Sequence, residues 1–341
     1  LDKAALRAAR VEDRLHARRR DRKLTAELSS GSSGEPTTTL SDFSAMWARR
    51  LAFLRALYHC GYRPWQKIAL LTSRRRARSL PFARWHYASI GEDTARIARF
   101  AADVAPQVLY GPLSTLELLA EHVGDHLPRL PSLRFIVSTA EQLTPERQAT
   151  LERAFGVPVA DFYGMSEFGL VAFRPPGAQA YIPARSSLVL EFLALPHDRA
   201  VEQLVISDLA ERTCPIIRYD TGDLVRRDRL SPERPLVEFA GRAFDCILLP
   251  NGERISPYRI DLALESLPGL RAFEVVQQAD YSIDVTIDVA KPQAEGMRRE
   301  IAGKLAAILG NATPFRISAG AIRREGAGKF RPIRSHAGAR A

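Results

Sequence analysis

Between Lys67 and Phe162 the chain alternates short apolar runs with amphipathic stretches, and this alternation limits its possible folds more than any other feature. Lys67–Thr72, Gln107–Tyr110, Leu133–Ser138 and Val159–Phe162 are short and apolar enough for strands buried on both faces. Asp93–Val104, Ser114–His122 and Pro145–Phe155, lying between them, carry helical spacing. Strands that alternate with helices pair in parallel, because a helix is the connection that returns the chain to the same end of the sheet. The first two-thirds are therefore predicted to form an α/β sheet. A helix over Asp42–Tyr58 precedes it, with Ser41 or Asp42 as N-cap, and residues 1–28 read as a polar, Arg-rich helix.

The texture changes after Gly164. Leu188–Leu195, Gln203–Ser207 and Leu236–Phe239 read as β segments separated by turns, a β-rich subdomain. From Arg242 the pattern is α+β: helix Tyr258–Leu267, strands Phe273–Gln278 and Ser282–Val289, helix Gln293–Leu309, and a last strand near Phe315–Ser318. In the second of those strands Ile283, Val285, Ile287 and Val289 alternate with Asp284, Thr286 and Asp288, so one face is buried and one wet. The predicted fold class is α/β. A large N-terminal lobe, residues 1–241, has a mainly parallel sheet and a β-rich subdomain, and a small C-terminal α+β domain spans 242–341.

A length of 341 residues is enough for two such cores. No stretch approaches the ~18 consecutive apolar residues of a spanning helix, and the basic N-terminus has no apolar centre like that of a secretory signal. Cys60, Cys214 and Cys246 are odd in number and widely spaced, which argues against a disulfide framework and a zinc ribbon and fits a reducing, cytoplasmic setting. The net charge of +10 favours anionic partners without choosing among nucleotides, phosphorylated cofactors, nucleic acid and acidic lipid. The clusters Arg18–Arg20 and Arg74–Arg76 lack the interleaved aromatics and glycines of single-strand binding modules, and read as solvated surface.

Three segments carry candidate chemistry. In Ser29–Pro36, small residues let backbone N–H groups crowd round an anion and serine hydroxyls add donors; a flexible linker has the same composition. No G-K-[ST] follows, so this is not a Walker loop. Phe162–Gly169 (FYGMSEFG) falls after a predicted parallel strand, at the end where open α/β sheets bind ligands. Its second glycine arrives one residue late for a hydrolase elbow. Tyr163 suits a stacking face for a base, Ser166 a phosphate donor and Glu167 a magnesium ligand. In Arg218–Leu224 (RYDTGDL), a carboxylate beside a Thr-Gly turn can accept both hydroxyls of a ribose.

These segments, followed by Gly241–Pro257 (GRAFDCILLPNGERISP) and Gly328-Lys329, occur in an order that resembles the adenylate-forming (acyl-CoA synthetase) superfamily, with wording closest to its phenylacetate–CoA ligase and CapK-like branch. The resemblance runs from about Leu1 to Pro332. It implies a ligase that activates a small-molecule carboxylic acid with ATP and Mg2+ and passes the acyl group to a thiol, usually that of coenzyme A. By resemblance Ser32, Ser33 and Gly34 hold phosphates, Ser166 meets the α-phosphate and Glu167 the magnesium. Tyr163 lies at the adenine, Asp223 at the ribose and Arg242 at the adenylate, and Gly164 is a further cofactor-binding position. Glu141, in Ser138–Gln142, lies beside the base and acyl group. Lys329, on a mobile small domain, bridges carboxylate and phosphate, and Gly252 leaves room for the pantetheine arm. Two positions depart from the pattern. Glu35 stands where most relatives carry lysine, and Phe244 where they carry an acidic hinge residue. Transfer to an acyl carrier protein or an amine, or a degenerate relative that binds nucleotide or nucleic acid, are the alternatives.

Overall fold

The computed structural model describes residues 1–17, 23–28, 37–72, 84–122, 130–195, 201–228, 236–264, 267–290, 293–310, 313–320, 322 and 332–337. The predicted N-terminal helix is short: α1 covers only Lys3–Ala8 and a 3-10 turn Val11–Arg14. Leu6 is the one buried side chain of this stretch, so no apolar stripe exists to hold a longer helix against the body. Leu24–Leu28 (β1) then pairs antiparallel with Thr38–Asp42 (β2). Asp42 ends β2 and caps α2 (Phe43–His59), its Oδ1 accepting from Ala45 N at 2.9 Å and Ser44 Oγ at 2.7 Å.

The large sheet is built from β3 (Ile68–Thr72), β4 (Trp85–Ser89), β5 (Val108–Pro112), β6 (Phe135–Thr139), β7 (Val159–Met165), β8 (Gly169–Arg174) and β9 (Ile182–Pro183), in the order β4-β3-β5-β6-β7-β8-β9. Helices α3 (Thr94–Val104), α4 (Leu113–His122) and α5 (Pro145–Phe155) connect its parallel part, as the alternation predicts. Alternate residues face opposite cores. Ile68, Leu70, Val108 and Val137 pack with α2 on one side, and Ala69, Leu71, Leu109 and Ile136 pack with α3–α5 on the other. That two-sided burial is why these strands read as unbroken apolar runs. The last two pairings are antiparallel, and Phe162–Gly169 is no simple loop: β7 continues to Met165 and β8 returns directly beside it.

A second sheet is antiparallel, in the order β10 (Leu188–Ala194), β11 (Glu202–Asp208), β12 (Tyr219–Arg227) and β13 (Leu236–Arg242). The Thr-Gly segment sits inside β12 as a bulge. Asp220 Oδ1 accepts from Gly222 N at 2.9 Å and Thr221 Oγ1 from Asp223 N at 3.0 Å, with Gly222 at φ +70. Phe168, Val171, Leu204, Ile206 and Tyr219 bury this sheet against β8.

The remainder has its own core. The hairpin β14 (Ile247–Leu248) and β15 (Arg254–Ile255) leads into α6 (Pro257–Leu264), β16 (Leu270–Gln277), β17 (Ile283–Val289), α7 (Ala294–Leu309), β18 (Phe315–Ala319) and β19 (Ile333–Ser335). These form a sheet of order β18-β17-β16-β19 whose apolar face, including Ile283, Val285 and Ile287, packs on α7 through Ile301 and Leu305. Among the described residues no helix is long and apolar enough to cross a membrane.

Candidate functional site

A cavity of about 680 Å3 opens where α1, the end of β7, the bulge of β12, the end of β13 and the C-terminal unit meet. Tyr163, Gly164, Ser166, Glu167, Asp223, Arg242 and Glu141, each predicted from sequence, all line it. The antiparallel return of β8 explains the placement of the first four. A Cβ on Gly164 would meet the Gly169 carbonyl at 3.1 Å, a tight contact that a larger residue could keep only by shifting the β8 backbone. Ser166–Phe168 then turn, and the carbonyls of Ser166 and Glu167 accept from Thr39 Oγ1 at 3.3 Å and Arg49 Nη2 at 2.6 Å.

Glu167 is 4 % exposed, and its Oε1 accepts from the Tyr219 hydroxyl at 3.1 Å. Burial, then the Glu167 charge, pushes Tyr219 upward, so the phenol stays a donor. Asp223 takes the Tyr163 hydroxyl on Oδ2 at 2.5 Å and Arg242 Nε on Oδ1 at 3.2 Å. Arg242 reaches it because β12 and β13 pair Asp223 with Arg242 beside the bulge. The Tyr163 ring stacks on Phe239, centroids 3.8 Å apart and planes at 29°.

Glu141 has a different immediate task. Its Oε1 accepts from Ser114 N at 3.3 Å and Ser114 Oγ at 2.6 Å, at the N-terminus of α4, and Arg147 Nη2 lies 3.6 Å from Oε2. Arg147 is also bidentate to Glu117 at 2.6 and 2.8 Å. Gly252 is not among the residues lining the cavity. It occupies the β14–β15 turn at φ +83, where a Cβ would meet nothing, so the backbone conformation is what asks for glycine. Ser32, Ser33, Gly34, Glu35, Arg74–Arg76 and Lys329 lie outside the described residues, as does the side chain of Phe244.

Several lining residues escape a motif reading. Lys3 and Arg7 of α1 enter the cavity, and Arg7 Nε donates to Thr37 Oγ1 at 2.9 Å. Burial lowers the Lys3 ammonium, against an opposing pull from Glu167. Asp161 precedes Tyr163 by two on the same face of β7 and accepts from the Tyr181 hydroxyl. Burial pushes its carboxyl from 3.8 up to about 6. A charged residue in the otherwise apolar run Val159–Phe162 was the available signal for Asp161. Nothing local marked Lys3. Asp245, Pro257 and Ile333 close the cavity from the C-terminal side.

Carboxylates, cations and an aromatic face thus surround one space. Such a set can hold a sugar diol, a polyphosphate and a planar base together. Among the described residues no cluster of three or more His, Cys, Asp and Glu could hold a metal.

No protein-family model matches the chain. The phenylacetate-coenzyme A ligase of Pseudomonas putida is 23% identical over 239 residues, covering 63% of this chain and 53% of that one. The chain thus spans about half the length of this curated relative. Among solved structures, 2-hydroxyisobutyryl-CoA ligase in the postadenylation state with R3-HIB-AMP superposes with a TM-score of 0.78 at 18% identity, covering 99% of this chain and 79% of that one. The anthranilate CoA ligase AuaEII in complex with anthranoyl-AMP gives 0.68 at 18% identity, covering 89% and 64%. ATP-bound MatB from Rhodopseudomonas palustris gives 0.68 at 16%, covering 89% and 65%. The fold is that of the adenylate-forming ligases, and the likenesses in sequence and structure together support that superfamily.

Proposed function

We propose that this chain activates a carboxylic acid with ATP and transfers the acyl group to a thiol, that of coenzyme A. In the first step a carboxylate oxygen attacks the α-phosphorus, an acyl–O–P bond forms, and the bond to pyrophosphate breaks. In the second the thiol sulfur attacks the acyl carbon and AMP leaves. The observation that carries the reading is the convergence of Tyr163, Ser166, Glu167, Asp223 and Arg242 on one cavity from three separate sequence motifs.

The residues divide the work by their chemistry. Tyr163 offers a ring to the base and Asp223 acceptors to the ribose. Ser166 donates to the α-phosphate, while Lys3, Arg7 and Arg242 supply positive charge to the anion. Lys329 bridges carboxylate and phosphate in the same reading. Glu167 fits magnesium, a hard cation that takes one or two carboxylates and completes its shell with phosphate and water. When bound, it neutralises charge on the phosphates. We place the division between 1–241 and 242–341 as a hinge, with the second unit reorienting between the two steps. The separate C-terminal core supports this.

The test is pyrophosphate release from MgATP over a panel of aryl, hydroxy and fatty acids. Acid-dependent release is expected from the unaltered protein, reduced about 100-fold in Glu167→Gln and Lys329→Ala, the loss of an oriented charge worth about 3 kcal/mol. Release undiminished in both variants, or none with any acid, would overturn the reading.

A further inference from the structure

We propose that the Tyr163 hydroxyl is a positioning donor that sets the plane of the Asp223 carboxylate, joining the base-stacking face and the ribose acceptor into one preformed unit; this rests on the nucleotide reading above. An Asp carboxylate turns through a broad, nearly two-fold torsion, so by itself it presents no fixed pair of lone pairs. Here each oxygen has a partner from a different element: Tyr163 of β7 on Oδ2 at 2.5 Å and Arg242 of β13 on Oδ1 at 3.2 Å. A hydrogen bond on one oxygen and an ion pair on the other hold the group, and each oxygen keeps acceptor capacity for one hydroxyl of a vicinal diol.

The donor is itself held. Phe239 lies against its ring, and the Phe239 carbonyl accepts from Gln142 Nε2 at 2.7 Å, so the β6–α5 loop fixes the backing strand. Burial and the neighbouring Asp223 charge push the phenol well above 10, which keeps it a donor at any working pH. Met165 Sδ, 3.4 Å from the same oxygen, is a weak acceptor that does not compete with a carboxylate. Tyr163 thus differs from a phenylalanine in the same place. Phenylalanine would keep the stack and lose the alignment.

The experiment compares binding of MgATP, 2′-deoxy-ATP and 3′-deoxy-ATP to the unaltered chain and to Tyr163→Phe by calorimetry, with KM and kcat for ATP measured alongside. Tyr163→Phe is expected to weaken ATP about tenfold and each deoxy analogue no more than about twofold, with KM rising and kcat nearly unchanged. The reduced preference for the full diol is the signature, because a general loss of packing would weaken all three ligands alike. Equal weakening of all three, or unchanged ATP binding, overturns the inference and leaves the ligase reading standing. Failure of the unaltered, folded chain to bind any of the three overturns both.

Discussion

Tyr219 donates its hydroxyl to the buried Glu167 carboxylate at 3.1 Å, so the only acid in Phe162–Gly169 is held by a residue from the second sheet. Glu167→Gln keeps an acceptor for Tyr219 and removes the charge. We expect about a 100-fold loss of acid-dependent pyrophosphate release and a flattened response to magnesium concentration. Tyr219→Phe keeps the charge and loses one hydrogen bond, and should cost only about tenfold. Magnesium titrations of the two variants, read as initial rates, separate charge from orientation.

Asp161 makes stability depend on pH. In the fold its carboxyl holds a proton to about 6, whereas unfolded it releases it near 3.8. The folded state binds the extra proton between those values, so stability falls as pH rises through that window and stays at the lower level above it. Asp161→Asn does not titrate. Its stability relative to the unaltered chain should therefore grow by about 2–3 kcal/mol between pH 4 and pH 7. Urea midpoints at a series of pH values measure this, and parallel curves for the two proteins would contradict it.

Asp42 behaves in the opposite sense. Burial alone would raise its carboxyl, but hydrogen bonds from Thr213, Ala45 and Ser44 outweigh that and pull it down to about 2. Its contribution is present above about pH 4 and lost as the pH falls toward 2. Asp42→Ala removes the α2 cap and the tie from Thr213 Oγ1, 2.6 Å away. The expected cost is about 2 kcal/mol at pH 7, fading in acid, by chemical denaturation.

Gly241 packs where β13 passes into the C-terminal unit. It stands at φ +93, and a Cβ would come within 3.0 Å of Pro257 Cβ at the start of α6. Gly241→Ala combines backbone strain with overpacking, and should lower stability by about 2–3 kcal/mol. Calorimetry should show a lower melting temperature, whereas alanine at the exposed helical Gly303, where a Cβ meets nothing, should leave it unchanged or slightly raised.

Much of the scaffold was legible because it is locally encoded. Two-sided burial writes apolar runs into β3 and β5, and helical spacing writes α3 and α5. A capping Asp42 before Phe43 and a Thr144-Pro145 start mark helix ends within a few residues. The motifs likewise named Tyr163, Glu167, Asp223 and Arg242 by type and order. Where local signals were thin, the reading failed. Residues 1–28 offered charge without an apolar stripe, so helix and hairpin arm could not be told apart. The Thr-Gly part of Arg218–Leu224 read as a turn because its Asp, Thr and Gly are turn formers, although a bulged strand uses the same side-chain bonds.

The sequence by itself determined which side chains were available: a ring, a serine and an acid within five residues, a second acid beside a bulge, an arginine at a strand end. Tertiary structure alone decided that Tyr163 reaches Asp223, that Glu141 serves α4, and that Lys3 enters the cavity from the far end of the chain. The reason is physical. Periodicity follows from the geometry of one backbone segment, whereas each of these contacts depends on how β7, β12 and α1 pack, which no single segment specifies.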